Sequence, residues 1–401
     1  MKELFRGIKQ YKWCFLYATI VCLYLVIKMY RDIFMTSESQ GGIWNLVQLF
    51  FVVLGLLVLF SHYNSVVFRQ GGKIVFYFLC FSFLSLLFGL VSISAFDIQS
   101  LYSLGMIPYG SLVLVTSIVL GNIVSMDTKA FQWLYISTFL ALCVVFYLGR
   151  QQELLNDYFF EGAGLTASVY YILSFFPLVL AVKPRWRVII FFIVAVCLLI
   201  SNKRAGTIAF GACLIYYFAF NKQTSKFKTL FIFLPLVCAV IFYTMNFIVS
   251  NYGVDVMARM EAIEESGGAG RLERWIAVLG AIERSSFFEL LFGHGGGSVY
   301  RMLGGEVHND FISVFYEYGI FSLLFYALYF LASFGMWWKM RKDNYRYETS
   351  VFMLNVITFF LALFSFYIIR PTYITASMFS YGLFMSDWYK QKFKKQISQI
   401  C

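Results

Sequence analysis

Three short stretches of this 401-residue sequence hold polar groups that so apolar a chain seldom keeps without use. The first is Ser201-Asn-Lys203-Arg204-Ala-Gly206, set between two apolar runs. A guanidinium offers a planar fork of N–H donors that matches phosphate oxygens, so Arg204, with Lys203, suits a cationic pocket for a phosphate. The plainer alternative is a polar turn whose cations reach up to lipid headgroups. The second stretch, Gly270-Arg271-Leu-Glu-Arg274-Trp275, opens a segment of helical period. The N–H groups of a helix start attract anions, and Arg271 stands beside them. Arg271, with Arg274 in support, either points at an anionic ligand or is solvated on a surface helix. The third runs from Phe292-Gly-His294-Gly-Gly-Gly297 to Gly304-Gly-Glu-Val-His308-Asn309-Asp310, and on to Glu317-Tyr-Gly319. Its glycines invite comparison with a phosphate loop, but no Gly-Lys-Ser/Thr follows, which excludes a nucleotide P-loop.

Within that third stretch, His308 stands just before an apolar helix. An imidazole titrates near ~6.5, the range a general base needs; the alternative is an ordinary interfacial histidine. Asn309 or Asp310 suits the cap of the helix that follows. Glu317 falls about two turns or more into that helix, where a carboxylate is expected to be paired or functional. Arg370 is its candidate partner. His294, between glycines, serves the turn. Three scattered histidines without ligand spacing argue against a metal site.

The elements that must position these groups are membrane helices. Hydrophobic residues make up 60% of the chain and charged residues only 13%, about half the charged share of a soluble domain. Helices satisfy their own backbone in lipid, and long unbroken apolar runs do not suit the alternating strands of a β-barrel. Runs long enough to span, about twelve, fall near 13–30, 43–60, 74–96, 106–125, 131–148, 163–182, 187–201, 205–220, 229–249, 311–336, 351–369 and 372–388. The start, Met1 to Lys12, reads as the lead-in to a retained first helix, because no small-residue cleavage site follows. None of the eight cysteines falls in the long loop at 250–310, so neither a disulfide framework nor a cysteine zinc site is expected there.

Charge orients the helices. With the N-terminus cytoplasmic, most of the 32 basic residues fall on the inner side, as the positive-inside rule requires. Among them are Lys183, Arg185, Arg187, Lys339, Arg341, Lys342 and Arg346. Both termini are then cytoplasmic. The net charge of +11 is thereby explained by topology and not by nucleic acid. Residues 1–249 hold helices 1–9, residues 250–310 form a large outward loop, and residues 311–401 hold helices 10–12 and a cytoplasmic tail. Within the loop, Leu272, Trp275, Ile276, Leu279 and Ile282 share one face. That pattern predicts an amphipathic helix, lying at the membrane surface or packed on the bundle. Gly267, Gly268 and Gly270 form a flexible lead-in to it.

Asn202-Lys203-Arg204-Ala-Gly206, Gly270-Arg271-Leu272 with Trp275, Phe292-Gly-His-Gly-Gly, and His308-Asn309-Asp310 followed by Gly319 occur in an order and spacing that resemble the O-antigen polymerase/O-antigen ligase superfamily. The resemblance covers residues 195–330 by motif and the whole chain by helix count. The ligase branch carries a His-Asn/Ser/Gln, nine residues, then Gly-x-x-Gly/Thr/Tyr; here Ser322 ends the pattern instead. That departure, the His308-Asn-Asp…Glu-Tyr-Gly319 form and the glycine-rich lead-in favour the polymerase branch. The resemblance implies a glycosyltransferase without metal or cofactor, at the periplasmic face of the bacterial inner membrane. Its substrates are oligosaccharides on undecaprenyl pyrophosphate within membrane lipid, and a chain-length regulator is a candidate partner. His308 takes the role of general base; Arg204 and Arg271 bind pyrophosphate; Lys203, Arg274, Asn309 and Glu317 support them. A ligase delivering glycan to lipid A–core is the alternative, and a lipid-linked oligosaccharide flippase the alternative of another class. A flippase would place its cations in a central cavity and show half-to-half symmetry, and neither is apparent.

Overall fold

The computed structural model describes residues 12–34, 66–91, 98–155, 168–201, 203–220, 271–365, 367–368 and 371–400, and these contain helices and no strand. The helices, in chain order, are α1 (Lys12–Phe34), α2 (Val66–Val91), α3 (Ile98–Ile123), α4 (Lys129–Leu155), α5 (Val169–Val182), α6 (Arg187–Ser201) and α7 (Arg204–Phe220). They continue with α8 (Arg271–Glu283), α9 (Phe287–Phe292), α10 (Ser298–Leu303), α11 (Asp310–Lys342), α12 (Glu348–Phe364) and α13 (Pro371–Ile400). The apolar runs at 43–60 and 229–249 lie outside the described residues, as do Gly267, Gly268, Gly270 and Arg370; each other run overlaps a helix within its described residues. Among the described residues, four stretches are long and apolar enough to cross a membrane: Lys12–Phe34, Gly72–Leu90, Lys129–Gln151 and Asp310–Lys342. Shorter apolar helices include Val169–Val182, Arg187–Ser201 and Glu348–Phe364. The chain has the build of an α-helical membrane protein.

Burial confirms that build. Leu23, Ile27, Phe76, Phe83, Leu140 and Val144 turn outward on α1, α2 and α4, as a surface facing hydrocarbon must. Polar groups turn inward instead. Asn355 donates to the Ser333 carbonyl at 2.9 Å and accepts from the Tyr381 hydroxyl, both inside the bundle. Without water to compete, such bonds and close packing hold membrane helices together. Helix α5 is buried on every side and α13 is buried along nearly all of its apolar length. Gly382 on α13 lies so close to Ser117 and the Leu114 carbonyl that a Cβ would overlap them, which lets α3 and α13 pack tightly. Helix α13 continues well past the predicted run to Ile400, so the tail continues the last helix.

Candidate functional site

The glycines of the third stretch make a backbone crossing. Helix α11 is interrupted at Gly319, with φ 76° and ψ −179°, and Gly293 adopts nearly the same angles, φ 81° and ψ 179°. This region of backbone space belongs essentially to glycine. The two residues are pressed against each other's neighbours. A Cβ on Gly293 would stand 2.3 Å from the Glu317 carbonyl oxygen, and one on Gly319 would stand 2.2 Å from that of Leu291. The kink frees carbonyls that a continuous helix would use, and the loop supplies new donors. The His294 N–H donates to the Tyr316 carbonyl and the Gly295 N–H to the Glu317 carbonyl, each at 2.9 Å. The His294 ring stacks on Tyr316 at 4.1 Å and bonds Ser285 and the Tyr316 carbonyl. It serves the turn, as expected. The Glu317 side chain is buried and accepts from the Val299 N–H at 3.3 Å, so it pins the start of α10.

Helix α8 lies over this crossing. Trp275, Val278 and Ile282 pack on Val299, Val307 and Tyr316 in a small separate core, while Leu272, Ile276 and Leu279 are exposed. The apolar face that the spacing predicts is thus shared, with Trp275 and Ile282 packed inward and Leu272, Ile276 and Leu279 on the surface. The cause is a pair of polar anchors. The Trp275 indole N–H donates to the Val307 carbonyl and the Arg274 guanidinium to that of Glu306, both at 2.8 Å. These bonds set the rotation of α8 and clamp the two residues before His308.

His308 is then fixed from both sides. Behind it are the clamped carbonyls. Ahead of it, Asn309 caps α11, its side chain accepting from the Ile312 N–H at 3.1 Å. Asp310 does not cap; it turns into the bundle. There it accepts from the Tyr326 hydroxyl at 2.9 Å and from the N–H groups of Tyr367 and Ile368 at 3.0 and 2.8 Å. Held this way, His308 has φ 59°. A non-glycine residue in the left-handed region carries strain of roughly 1–3 kcal/mol and persists where its surroundings over-determine it, most often at functional sites. Nothing in the sequence motif shows this strain.

Arg271 begins α8, and its Nη1 donates to the Phe364 carbonyl at the end of α12 at 3.1 Å. The Tyr170 hydroxyl lies within electrostatic reach of Arg271 and beside Ser365. Tyr170 also packs against Gly206 near the start of α7, so the helix that Arg204 opens begins close to Arg271. The Arg204 side chain and Asn202 lie outside what is described. Lys203 is half-buried, its N–H donating to the Ser201 hydroxyl. The same end of the bundle holds three buried cations, Lys28, Arg31 and Arg150. Arg150 donates to the Ile200 carbonyl at 3.0 Å, and Lys28 shares Asp32 with Tyr171. Reading the sequence placed them only in the charge balance; their position at the far ends of two apolar runs is the signal that marks them.

Arg274 thus spends one N–H on the backbone two residues before His308. Losing one hydrogen bond from a charged group costs about 1.5–3 kcal/mol. Arg274→Ala is expected to slow transfer partially, by about tenfold or more, with the protein still inserted. An unchanged rate at unchanged abundance would show that the clamp does not govern His308.

Residues 189–327, about a third of the chain, match the sequence model of the O-antigen ligase family, a family of glycosyltransferase-type enzymes. The match runs from α6 into α11 and contains Lys203, Arg204, Arg271, Arg274, His308, Asn309 and Glu317. No curated protein matches the chain. The arginine at the start of α8, the clamped histidine and the kinked α11 all fall within this matched segment, and the match supports a likeness of the chain to the O-antigen polymerase and ligase superfamily.

Proposed function

We propose that the protein is the polymerase of a lipid-linked polysaccharide, moving a growing glycan from undecaprenyl pyrophosphate onto a new lipid-linked repeat unit. The observation that carries this reading is the strained, doubly held His308 at the same end of the bundle as Arg271. An acceptor sugar hydroxyl attacks C1 of the donor sugar, the bond from C1 to the pyrophosphate oxygen breaks, and undecaprenyl pyrophosphate departs. His308 takes the hydroxyl proton. The leaving group gathers negative charge, which Arg271 and Arg204 neutralise without a metal. Arg271 spends one N–H on Phe364, and its guanidinium has five to offer. Asn309, Glu317 and Arg274 position, and Lys203 adds charge at the start of α7.

The branch is favoured by Ser322 in place of the ligase residue and by the glycines of the crossing. Ligase transfer onto lipid A–core is the second reading, supported by the description of the matched family. Deleting the gene and resolving the surface polysaccharide on a gel separates them. A single repeat unit on lipid A–core supports polymerase; cores bare of any repeat unit would mean ligase.

The site faces the periplasm in this reading, with 250–310 outside, both termini cytoplasmic and the protein in the inner membrane. A chain-length regulator is a candidate partner in this reading. Reporters fused after Arg346 are expected to read cytoplasmic and one fused at Glu264 periplasmic; the opposite result would invert the account.

A further inference from the structure

A sizeable cavity among the described residues lies not at His308 but at the other end of the bundle. It measures about 800 Å³ and opens between the ends of α5 and α7, the start of α6 and the α11–α12 turn. Four cations line it, Arg187, Arg341, Lys342 and Arg346, against two carboxylates, Asp127 and Glu348. Both carboxylates are engaged. Asp127 holds Arg346 at 2.5 Å and the Tyr347 hydroxyl at 2.8 Å. Glu348 accepts from Tyr216 at 3.0 Å and from the Trp337 indole at 3.1 Å. Among the described residues, no carboxylate lies within ion-pair distance of Arg187, Arg341 or Lys342.

Arg341 is presented to the cavity by aromatic rings. Its guanidinium stands 4.9 Å above Phe220 and 5.9 Å from Trp338, with a single hydrogen bond to the Tyr216 hydroxyl at 3.2 Å. Stacking of this kind fixes the plane of the fork while leaving N–H groups free to meet an oxyanion. A wall of Leu180, Val182 and Phe220 continues the polar lining into apolar surface.

A second, independent feature sets the depth of this cavity in the membrane. Trp13, Trp133, Trp186 and Trp338 all expose their rings at this end, each at least 44% accessible. Three carry a lysine over the ring: Lys12 over Trp13, Lys183 over Trp133 and Lys342 over Trp338. Tryptophans gather at the headgroup level of a bilayer, and lysines beside them reach the phosphates. Because Trp338 belongs both to the belt and to the cavity lining, the cavity opens where lipid phosphates lie.

We propose that this cavity binds the phosphate of an anionic phospholipid headgroup, with Arg341 as the central fork and Arg187 and Lys342 as flanking charges. Basic pockets between helices at the headgroup level are the setting in which such lipids are held. The proposal is independent of the transfer chemistry at His308. The test uses the full-length protein, purified in detergent and stripped of lipid, with thermal unfolding followed as phosphatidylglycerol, phosphatidylethanolamine or inorganic phosphate is added. Phosphatidylglycerol is expected to raise the midpoint, and phosphatidylethanolamine and millimolar phosphate to leave it in place. Arg341→Gln should weaken the phosphatidylglycerol response by about tenfold or more. Because Arg341 also touches Tyr216, the double variant Arg187→Gln with Lys342→Gln is measured beside it; neither of those residues bonds the turn, and the same loss is expected. An undiminished response in the double variant, or equal responses to both lipids, overturns the proposal. Stabilisation by inorganic phosphate equal to that by the lipid overturns the lipid assignment and points to a soluble phosphate.

Discussion

His308→Ala is expected to abolish visible polymer while the protein remains in the membrane at wild-type abundance. Removing a general base costs about 10²–10⁴ in rate, enough to reduce a long ladder to its first rung. The substitution should not unfold the site. The His308 backbone is held by Trp275 and Arg274 through the preceding carbonyls and by the Asn309 cap that follows, and none of these bonds uses the imidazole. Alanine in the left-handed conformation costs roughly 1–2 kcal/mol, a modest loss for so anchored a turn. His308→Asn tolerates that conformation better and still lacks the base, so it should fail equally. Full-length chains from His308→Asn would remove His308 from the chemistry.

Gly319→Ala carries the second large effect. Its φ of 76° with ψ of −179° is closed to alanine, and the new methyl would stand 2.2 Å from the Leu291 carbonyl oxygen. Backbone lies on both sides of the crossing, so neither side can give way as a flexible side chain would. A loss of more than about 3 kcal/mol is expected, since strain and overlap add. Gly293→Ala meets the Glu317 carbonyl in the same way and should behave alike. Gly304→Ala is the control. It too has positive φ, 63°, but a Cβ there meets nothing within 4 Å, and its cost is limited to roughly 1–2 kcal/mol. Limited proteolysis between Arg271 and His308 reads the difference. Equal protection of Gly319→Ala and Gly304→Ala would show that the crossing is dispensable.

The sequence was most legible where structure is local. Apolar runs located helices because the length of a span is set by the bilayer, and His308-Asn309 located the start of α11 because a cap precedes its helix. What escaped was tertiary. Nothing in the spacing of Gly293 and Gly319 says that they meet, since the contact joins a loop to a helix kink 26 residues on (319 − 293). Hydrophobic period put Leu272, Trp275, Ile276, Leu279 and Ile282 on one face of α8, but which of them turn inward is set by two hydrogen bonds to carbonyls more than thirty residues away. Asp310 read as a cap candidate and proved to be a tie to Tyr367 and Ile368. Lys28, Arg31 and Arg150 looked like topology charges because only folding brings α1 and α4 to the Arg271 end. Motifs exposed the chemistry of single residues; the partners that hold them in place came from the fold.

Reconstitution tests the central claim most directly. The purified protein in liposomes is given undecaprenyl-pyrophosphate-linked repeat units as the only glycan, with a chelator present and lipid A–core absent. The account predicts products of two or more repeat units from the wild-type protein and none from His308→Ala. Product that forms only when lipid A–core is supplied, only when a divalent metal is restored, or equally well with His308→Ala would contradict it.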